Sequence, residues 1–342
     1  MKILVTGGNG FIATNFIITA LKRDYQVFSI DNLGYAGSQN NNLIFEGHKN
    51  FTFIKEDIRN KTIEKLIEKE RYDAILNFAA ESHVDRSIHN DFPFISTNVN
   101  GTHNLISICK KLLQEKVLSE NFRFIQISTD EVYGSLASEE APFTELSHLD
   151  PSNPYSATKA ASDVICLSYY KTYNFPTIVT RCSNNYGPFQ YPEKLIPLCI
   201  NKINTNNKIP IYGDGKQIRD WIHVSDHCQG IIKALEEGEI GNVYNFGGKA
   251  ELTNIECIKS IIEILRPNNE ILDFIEFVED RPGHDTRYAI DSSKSQKDLN
   301  WKTQYNFKSG IRATVEWYEE NKVWLTSTSS TKDFRIWEEL HY

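Results

Sequence analysis

The chain has 342 residues, of which 40% are hydrophobic and 24% charged, enough to bury one large core or two lobes. Its net charge of −8 and lack of a long basic run argue against nucleic acid or a membrane surface as partner. The six cysteines and nine histidines show neither disulfide nor zinc spacing. No signal peptide precedes the first strand and no apolar run is long enough to span a bilayer, so a cytoplasmic, metal-free protein is expected.

Lys2-Ile3-Leu4-Val5-Thr6 reads as a strand that runs into Gly7-Gly8-Asn9-Gly10-Phe11-Ile12-Ala13, with a helix expected from about Thr14 to Arg23. Gly7 permits a tight turn, and Gly10 lets the backbone approach a pyrophosphate at the helix N-terminus; Ala13 stands at the third, helix-packing position of that pattern. A second strand, Gln26 to Ile30, ends at Asp31. An acid there accepts hydrogen bonds from the adenosine ribose and repels a 2′-phosphate, which favours NAD over NADP. Phe51 to Ile54 leads to Asp57 and Ile58, where the adenine edge is expected. Ala74 to Phe78 opens into Ala79-Ala80-Glu81-Ser82-His83: the small alanines let a dinucleotide lie flat, and Ser82 and His83 present polar groups beside it. A long helical pattern follows from about Phe94 to Leu118. Alternating strands and helices imply an α/β fold, a Rossmann-type doubly wound parallel sheet.

Phe122 to Ile127 reads as a buried parallel strand, and directly after it stand Ser128-Thr129-Asp130-Glu131-Val132-Tyr133-Gly134. Open α/β sheets place ligands at the carboxyl ends of their strands. Tyr155 and Lys159 are four apart at the start of a helical pattern, hence on one face. Singly, these residues read more readily as a helix cap or solvated turn and an ordinary surface pair; together they bring a phenol, an amine and two carboxylic acids towards one pocket. From about Cys182 the chain becomes rich in turn formers, the texture of a smaller lobe closing over a polar substrate. Thr177–Thr180 and Val243–Phe246 nevertheless look like strands of the main sheet. The expected division is a Rossmann domain over 1–181 that also receives segments near 220–250, a substrate lobe mostly over 182–325, and a tail over 326–342, in which Ser327 to Thr331 reads as polar and loose.

Taken together, these motifs resemble the extended short-chain dehydrogenase/reductase superfamily, and within it the nucleotide-sugar 4,6-dehydratases acting on dTDP-glucose or UDP-glucose. The Asp130-Glu131 pair discriminates most, since sister epimerases lack it. The Tyr155/Lys159 pair, Asn184-Asn185-Tyr186-Gly187-Pro188, Pro192-Glu193-Lys194-Leu195-Ile196-Pro197 and Arg281-Pro282-Gly283-His284-Asp285 add to the match, which covers roughly residues 1 to 320.

The resemblance implies oxidation of the sugar at C4, elimination of water across C5 and C6, and return of the hydride to C6, with NAD regenerated each cycle. Tyr155 would be the C4 base, Lys159 its electrostatic partner, and Thr129 a hydrogen-bond partner of the C4 oxygen. By family correspondence Glu131 is the C5 base and Asp130 the acid, roles that sequence position alone does not assign. Implied cofactor contacts are Gly7, Gly10, Phe11, Ile12, Asp31, Asn32, Asp57, Ile58, Ala79, Ala80, Ser82, Thr97, Tyr155 and Lys159. Implied substrate contacts are Ser82, His83, Thr129, Asn184, Glu193, Lys194, Leu195, Pro210, Tyr212, Arg219, Asn254, Arg281 and His284, with Arg219, Arg281 and Lys194 suited to a diphosphate. The expected substrate is dTDP-glucose, with UDP-glucose as alternative; a 4-epimerase or a non-catalytic NAD-binding protein are the rival readings. Family members pair the helices near 94–118 and 155–173 into a four-helix bundle, so a homodimer is expected.

Overall fold

The computed structural model describes residues 1–332 and 334–336. Among the described residues twelve strands are formed: β1 (Lys2–Thr6), β2 (Gln26–Asp31), β3 (Phe51–Lys55), β4 (Ala74–Asn77), β5 (Arg123–Thr129), β6 (Thr177–Cys182), β7 (Asn184–Tyr186), β8 (Ile209–Tyr212), β9 (Ile218–His223), β10 (Val243–Phe246), β11 (Glu251–Thr253) and β12 (Ile275–Val278). Seven of them make one parallel sheet in the order β10-β6-β5-β4-β1-β2-β3, a doubly wound arrangement.

Both faces of this sheet are covered, which is why its strands read as apolar runs and not as alternations. Ile3 and Val5 of β1 and Ile125 and Ile127 of β5 face a core built with Phe16, Ile17, Ile231 and Leu235. Leu4 and Phe124 face the opposite core, with Leu105, Leu112 and Cys166. Those partners come from the helices Phe11–Leu21 and Val224–Glu237 on one side, and Thr102–Gln114 and Pro154–Tyr173 on the other. A third core, with Tyr186, Ile200, Trp221, Ile258 and Tyr318, belongs to the smaller lobe. There β11, β9 and β7 form one small sheet and β12 and β8 another. Late residues reach the main sheet through β10, which pairs with β6 from Val243↔Val179 to Phe246↔Cys182.

Two local expectations change. The long helical pattern from Phe94 is interrupted by a π-helical stretch, Ile95–Gly101, before the regular helix Thr102–Gln114 begins. Gly101 packs so tightly that an added Cβ would sit 2.5 Å from Ile58 Cδ1. Wide turns of this kind occur frequently at functional sites, and this one carries Thr97 and Asn98. The polar stretch from Ser327 to Thr331 is not loose. Lys322–Ser329 is helical and turns Leu325 and Thr328 inward, Trp324 Nε1 donates to Asn41 Oδ1 at 2.9 Å, and Phe334 is buried against Tyr191 and Tyr35. Apolar side chains spaced along a serine- and threonine-rich helix supply the anchorage that its composition conceals. The tail residues 333 and 337–342 lie outside the described residues.

Candidate active site

One cavity opens at the carboxyl ends of the main strands, and it is lined by every residue named above as a cofactor contact and all five candidate catalytic residues. At its dinucleotide end Gly7 has φ +65°, and a Cβ there would lie 2.7 Å from Ala79 Cα and N; only glycine fits the turn. The helix Phe11–Leu21 begins directly after Gly10, so its N-terminus faces the cavity as an anion-binding end. Asp31 is buried; its Oδ2 accepts from Asn9 N at 3.0 Å and its Oδ1 from Leu33 N at 2.7 Å. Each carboxylate oxygen keeps a lone pair for a ribose hydroxyl. Asn32 Nδ2 donates to Asp57 Oδ2 at 3.1 Å, and the Arg59 guanidinium holds the Asp57 carboxyl down at about 2. These residues fit a dinucleotide with an unsubstituted ribose.

At the reaction end, β5 closes with Thr129, and Asp130 and Glu131 occupy the single 3₁₀ turn Asp130–Tyr133. Thr129 Oγ1 accepts from Glu131 N and donates to Asp130 Oδ1, both at 3.3 Å. Across the cavity, the helix Pro154–Tyr173 starts with Pro154 and an Asn153/Ser156 capping box, two devices that fix a helix start. They set Tyr155 and Lys159 in the first two turns. Asp130 is buried and Glu131 half-buried, and the two are differently surrounded. Burial and then the neighbouring Glu131 push Asp130 well above the carboxylate range. Burial also raises Glu131, but Lys194, Arg281 and Arg219 all oppose it. Two such acids side by side resist ionising together, and the three cations favour the carboxylate at Glu131.

The expected lowering of the Tyr155 phenol by Lys159 is not found. Burial and then Glu131 push the phenol well up. The Lys159 ammonium, lowered by burial, instead donates to Ile127 O at 2.6 Å. Behind it lies a buried pair absent from the sequence reading: Arg181 Nε donates to Asp163 Oδ2 at 2.9 Å. Only its place was visible, one helical turn after Lys159; its partner Arg181 stands on β6, which local spacing does not reveal. Asp163→Asn leaves Arg181 buried without its counterion, so it is expected to cost about 3–5 kcal/mol, read as a lower thermal midpoint at saturating NAD. A midpoint equal to that of the parent would discount the pair. Asn98 was also missed; its side chain accepts from Glu81 N at 2.8 Å and donates to Thr158 Oγ1 at 2.9 Å, tying the π-helical stretch to both walls.

Of the candidate substrate contacts, Ser82, Thr129, Asn184, Glu193 and Lys194 line the same cavity. Lys194 Nζ donates to Ser82 O at 3.0 Å. Glu193 is buried, lies 3.4 Å from Arg86 Nε and 3.9 Å from His83 Nε2, and burial pushes it up to about 7. Arg219 is buried, donates to Ile218 O and Asp285 O and stacks 4.3 Å over the Tyr288 ring. Arg281 donates to Asp85 Oδ1 at 2.6 Å, and the Tyr212 hydroxyl donates to Asp85 Oδ2 at 3.4 Å. His284 Nδ1 is 2.6 Å from Asp280 Oδ1, and burial lowers the imidazole to about 4. Leu195 packs on the small-lobe core, Pro210 lies opposite Glu276 in the β8–β12 pair, and Asn254 opens the helix Asn254–Leu265; these three, like His83, Tyr212, Arg219, Arg281 and His284, stand outside the cavity lining. Among the described residues no group of His, Cys, Asp and Glu could hold a metal, no helix is long and apolar enough to cross a membrane, and the six cysteines are free and buried.

The family model described as GDP-mannose 4,6 dehydratase matches residues 4–314. The dTDP-glucose 4,6-dehydratase of Xanthomonas campestris pv. campestris (strain B100) is 46% identical over 332 residues, covering 94% of either chain. Among solved structures, dTDP-glucose 4,6-dehydratase from Bacillus anthracis str. Ames in complex with NAD superposes with a TM-score of 0.87 at 45% identity, covering 96% of this chain and 99% of that one. The Streptomyces venezuelae dTDP-glucose 4,6-dehydratase with NAD and TYD bound reaches 0.89 at 39% identity, covering 96% and 100%. A relationship of this extent, joined to a site that pairs two acids with a tyrosine and a lysine, settles the family: the chain belongs to the nucleotide-sugar 4,6-dehydratases of the extended short-chain dehydrogenase/reductase superfamily.

Proposed function

We propose that this chain dehydrates dTDP-glucose to dTDP-4-keto-6-deoxyglucose, using bound NAD. The observation that carries the reading is the unequal acid pair at the end of β5. Burial and Glu131 favour the proton on Asp130, while Lys194, Arg281 and Arg219 favour the carboxylate of Glu131. Elimination across C5 and C6 needs one carboxylate and one carboxylic acid in one place, and like-charge repulsion with uneven surroundings provides both. When bound, NAD supplies the acceptor for the C4 hydride, returns that hydride at C6, and brings a positive nicotinamide ring that favours the Tyr155 phenolate.

This chain's residues do the rest. Tyr155 takes the proton of the C4 hydroxyl, with Thr129 positioning the C4 oxygen and Lys159 adding positive charge below. The resulting ketone acidifies C5. Glu131 takes the C5 proton, Asp130 gives its own proton to the C6 hydroxyl, and the carbon–oxygen bond breaks to release water. Glu131 then returns a proton to C5 as C6 is reduced. Gly7, Gly10, Phe11 and Ile12 would cradle the dinucleotide diphosphate, Asp31 and Asn32 its ribose, Asp57 and Ile58 its adenine, and Ala79, Ala80, Ser82 and Thr97 its nicotinamide half. Lys194, Arg219 and Arg281, which all act on Glu131, would meet the sugar-nucleotide diphosphate, and Glu193, Asn184, Tyr212 and His284 would make the further substrate contacts.

We further propose a homodimer in the cytoplasm, formed through the helices near 84–114 and 154–173. Phe92, Ile95, Val164 and Tyr173 are exposed there, as in an apolar seam awaiting a second copy. Gel filtration giving only monomer at micromolar concentration would remove that part.

The test of function is a parallel incubation with dTDP-glucose and UDP-glucose, following loss of water by mass. Faster dehydration of dTDP-glucose, with no net NADH and no added reductant, is the expected result. Epimerised product that retains all its oxygen would instead place the chain with the 4-epimerases.

A further inference from the structure

Asp85 lies two residues after His83, in the first turn of the short helix Val84–His89. Nothing in the mechanism above uses it. It is 6% exposed, and it is gripped from the other lobe by two side chains. Its Oδ1 accepts from Arg281 Nη1 at 2.6 Å, and its Oδ2 accepts from the Tyr212 hydroxyl at 3.4 Å. These partners sit at the same end of one small sheet: Tyr212 closes β8, its register partner Val278 closes β12, and Arg281 stands in the loop that follows. A single carboxylate of the large lobe therefore holds the end of the small lobe's β8–β12 pair.

The charge pattern gives this contact a purpose beyond cohesion. Lys194, Arg219 and Arg281 all act on Glu131, and Arg219 and Arg281 repel one another. Before an anionic substrate arrives, three cations at one mouth need a counter-charge, and after Asp85 the carboxylate that acts most strongly on Arg281 is Glu131. An unanchored guanidinium on a long flexible stem would turn towards Glu131 and occupy the proposed C5 base. Anchored at Nη1, it holds its other edge ready: Arg281 Nε is buried and has no hydrogen-bond partner among the described residues. A planar guanidinium fixed at one nitrogen presents the others at a set angle, as bidentate recognition of a phosphate requires.

We propose that Asp85 is a positioning residue for the sugar-nucleotide diphosphate, acting by holding Arg281 and Tyr212 in the orientation that receives it. This rests on the reading above that Arg281 meets the substrate's diphosphate. Asp85 touches neither the reacting carbons nor the cofactor end of the cavity, so its effect belongs to substrate capture and not to the chemical steps.

The experiment is steady-state kinetics of the NAD-loaded enzyme with dTDP-glucose for Asp85→Asn, Arg281→Gln and the double variant, alongside inhibition by dTDP and the NAD content of each preparation. Asp85→Asn is expected to raise KM about tenfold, the scale of one charge-assisted hydrogen bond, with kcat within about threefold, NAD content unchanged and dTDP inhibition weakened in parallel. The double variant should be no worse than Arg281→Gln, since both changes remove one interaction. A merely structural Asp85 would lower kcat or NAD content, leave KM in place and add to Arg281→Gln; that pattern overturns the proposal. Arg281→Gln raising KM while Asp85→Asn does not would overturn it and leave the diphosphate reading standing. An unchanged KM in Arg281→Gln would bring down that reading and the proposal together, while wild-type turnover of dTDP-glucose still tested the reaction itself. Should Asp85→Asn fail to fold, Asp85→Glu keeps the charge and shifts the carboxylate: a raised KM with kcat retained supports the role, and an unchanged KM overturns it.

Discussion

Glu131→Gln lowers kcat by about 10²–10⁴-fold, the range for loss of a positioned general base, while NAD stays bound and dTDP-glucose is still oxidised at C4. The substitution keeps shape and removes only the capacity to accept the C5 proton. Tyr155, Lys159 and Thr129 are untouched, so the first step proceeds and the second stalls. Mixing the variant with dTDP-glucose should therefore leave the near-ultraviolet absorbance of reduced nicotinamide standing, where the parent shows it only in passing. Solvent deuterium, which the parent is expected to incorporate at C5, should be absent from recovered sugar. Because burial holds Glu131 above the ordinary 4.5 of a glutamate, kcat/KM of the parent should fall as the pH drops through that raised value, where the base becomes protonated. Asp130 is pushed up as well, by burial and then by Glu131. If Glu131→Gln turned over within tenfold of the parent while Asp130→Asn was dead, the two acids would exchange roles.

That assignment marks where sequence stops being enough. Asp130 and Glu131 are neighbours with the same chemistry, and the spacing says only that they share a turn. What separates them most is Lys194 and Arg281, carried in by segments 63 and 150 residues downstream, which oppose the rise of Glu131, whereas Arg219 acts on both acids. The main sheet was legible because its strands are buried on both faces and hence continuous in apolar residues. β1 and β10 fall on the residues expected for them. The glycine turn and Asp31 were legible for a similar reason: each meets a local backbone requirement. Asp85, Asp163 and Asn98 were not, because their partners Arg281, Arg181 and Thr158 lie 196, 18 and 60 residues away. No local pattern distinguishes an acid that will be buried against an arginine from one that will meet water. The tail was misread for a related reason. Serine and threonine dominate its composition, yet Leu325 and Phe334 decide its placement by finding apolar partners made elsewhere in the chain.

Tyr155→Phe is expected to reduce kcat by about 10²–10⁴-fold, and here no reduced nicotinamide should accumulate on addition of dTDP-glucose. The lost hydroxyl is the group that takes the C4 proton, so the block falls before any hydride leaves the sugar. The fold gives little reason for collateral damage. The Tyr155 ring packs edge-on against Phe94, a contact phenylalanine retains, and its backbone N–H still donates to Ser87 Oγ. Thr129, the hydroxyl's neighbour, keeps its bonds to Asp130 and to Glu131 N. NAD content and thermal midpoint should therefore match the parent. The comparison with Glu131→Gln then orders the steps: one variant stops before the cofactor is reduced and the other after. A Tyr155→Phe enzyme that accumulated reduced nicotinamide would show that another group accepts the C4 proton. Given the geometry, Lys159 would be a poor substitute, because its ammonium is already committed to Ile127 O and cannot accept a proton while charged. The phenol is the one group in the first two turns of its helix that has both a proton to exchange and a side chain in the cavity free to exchange it.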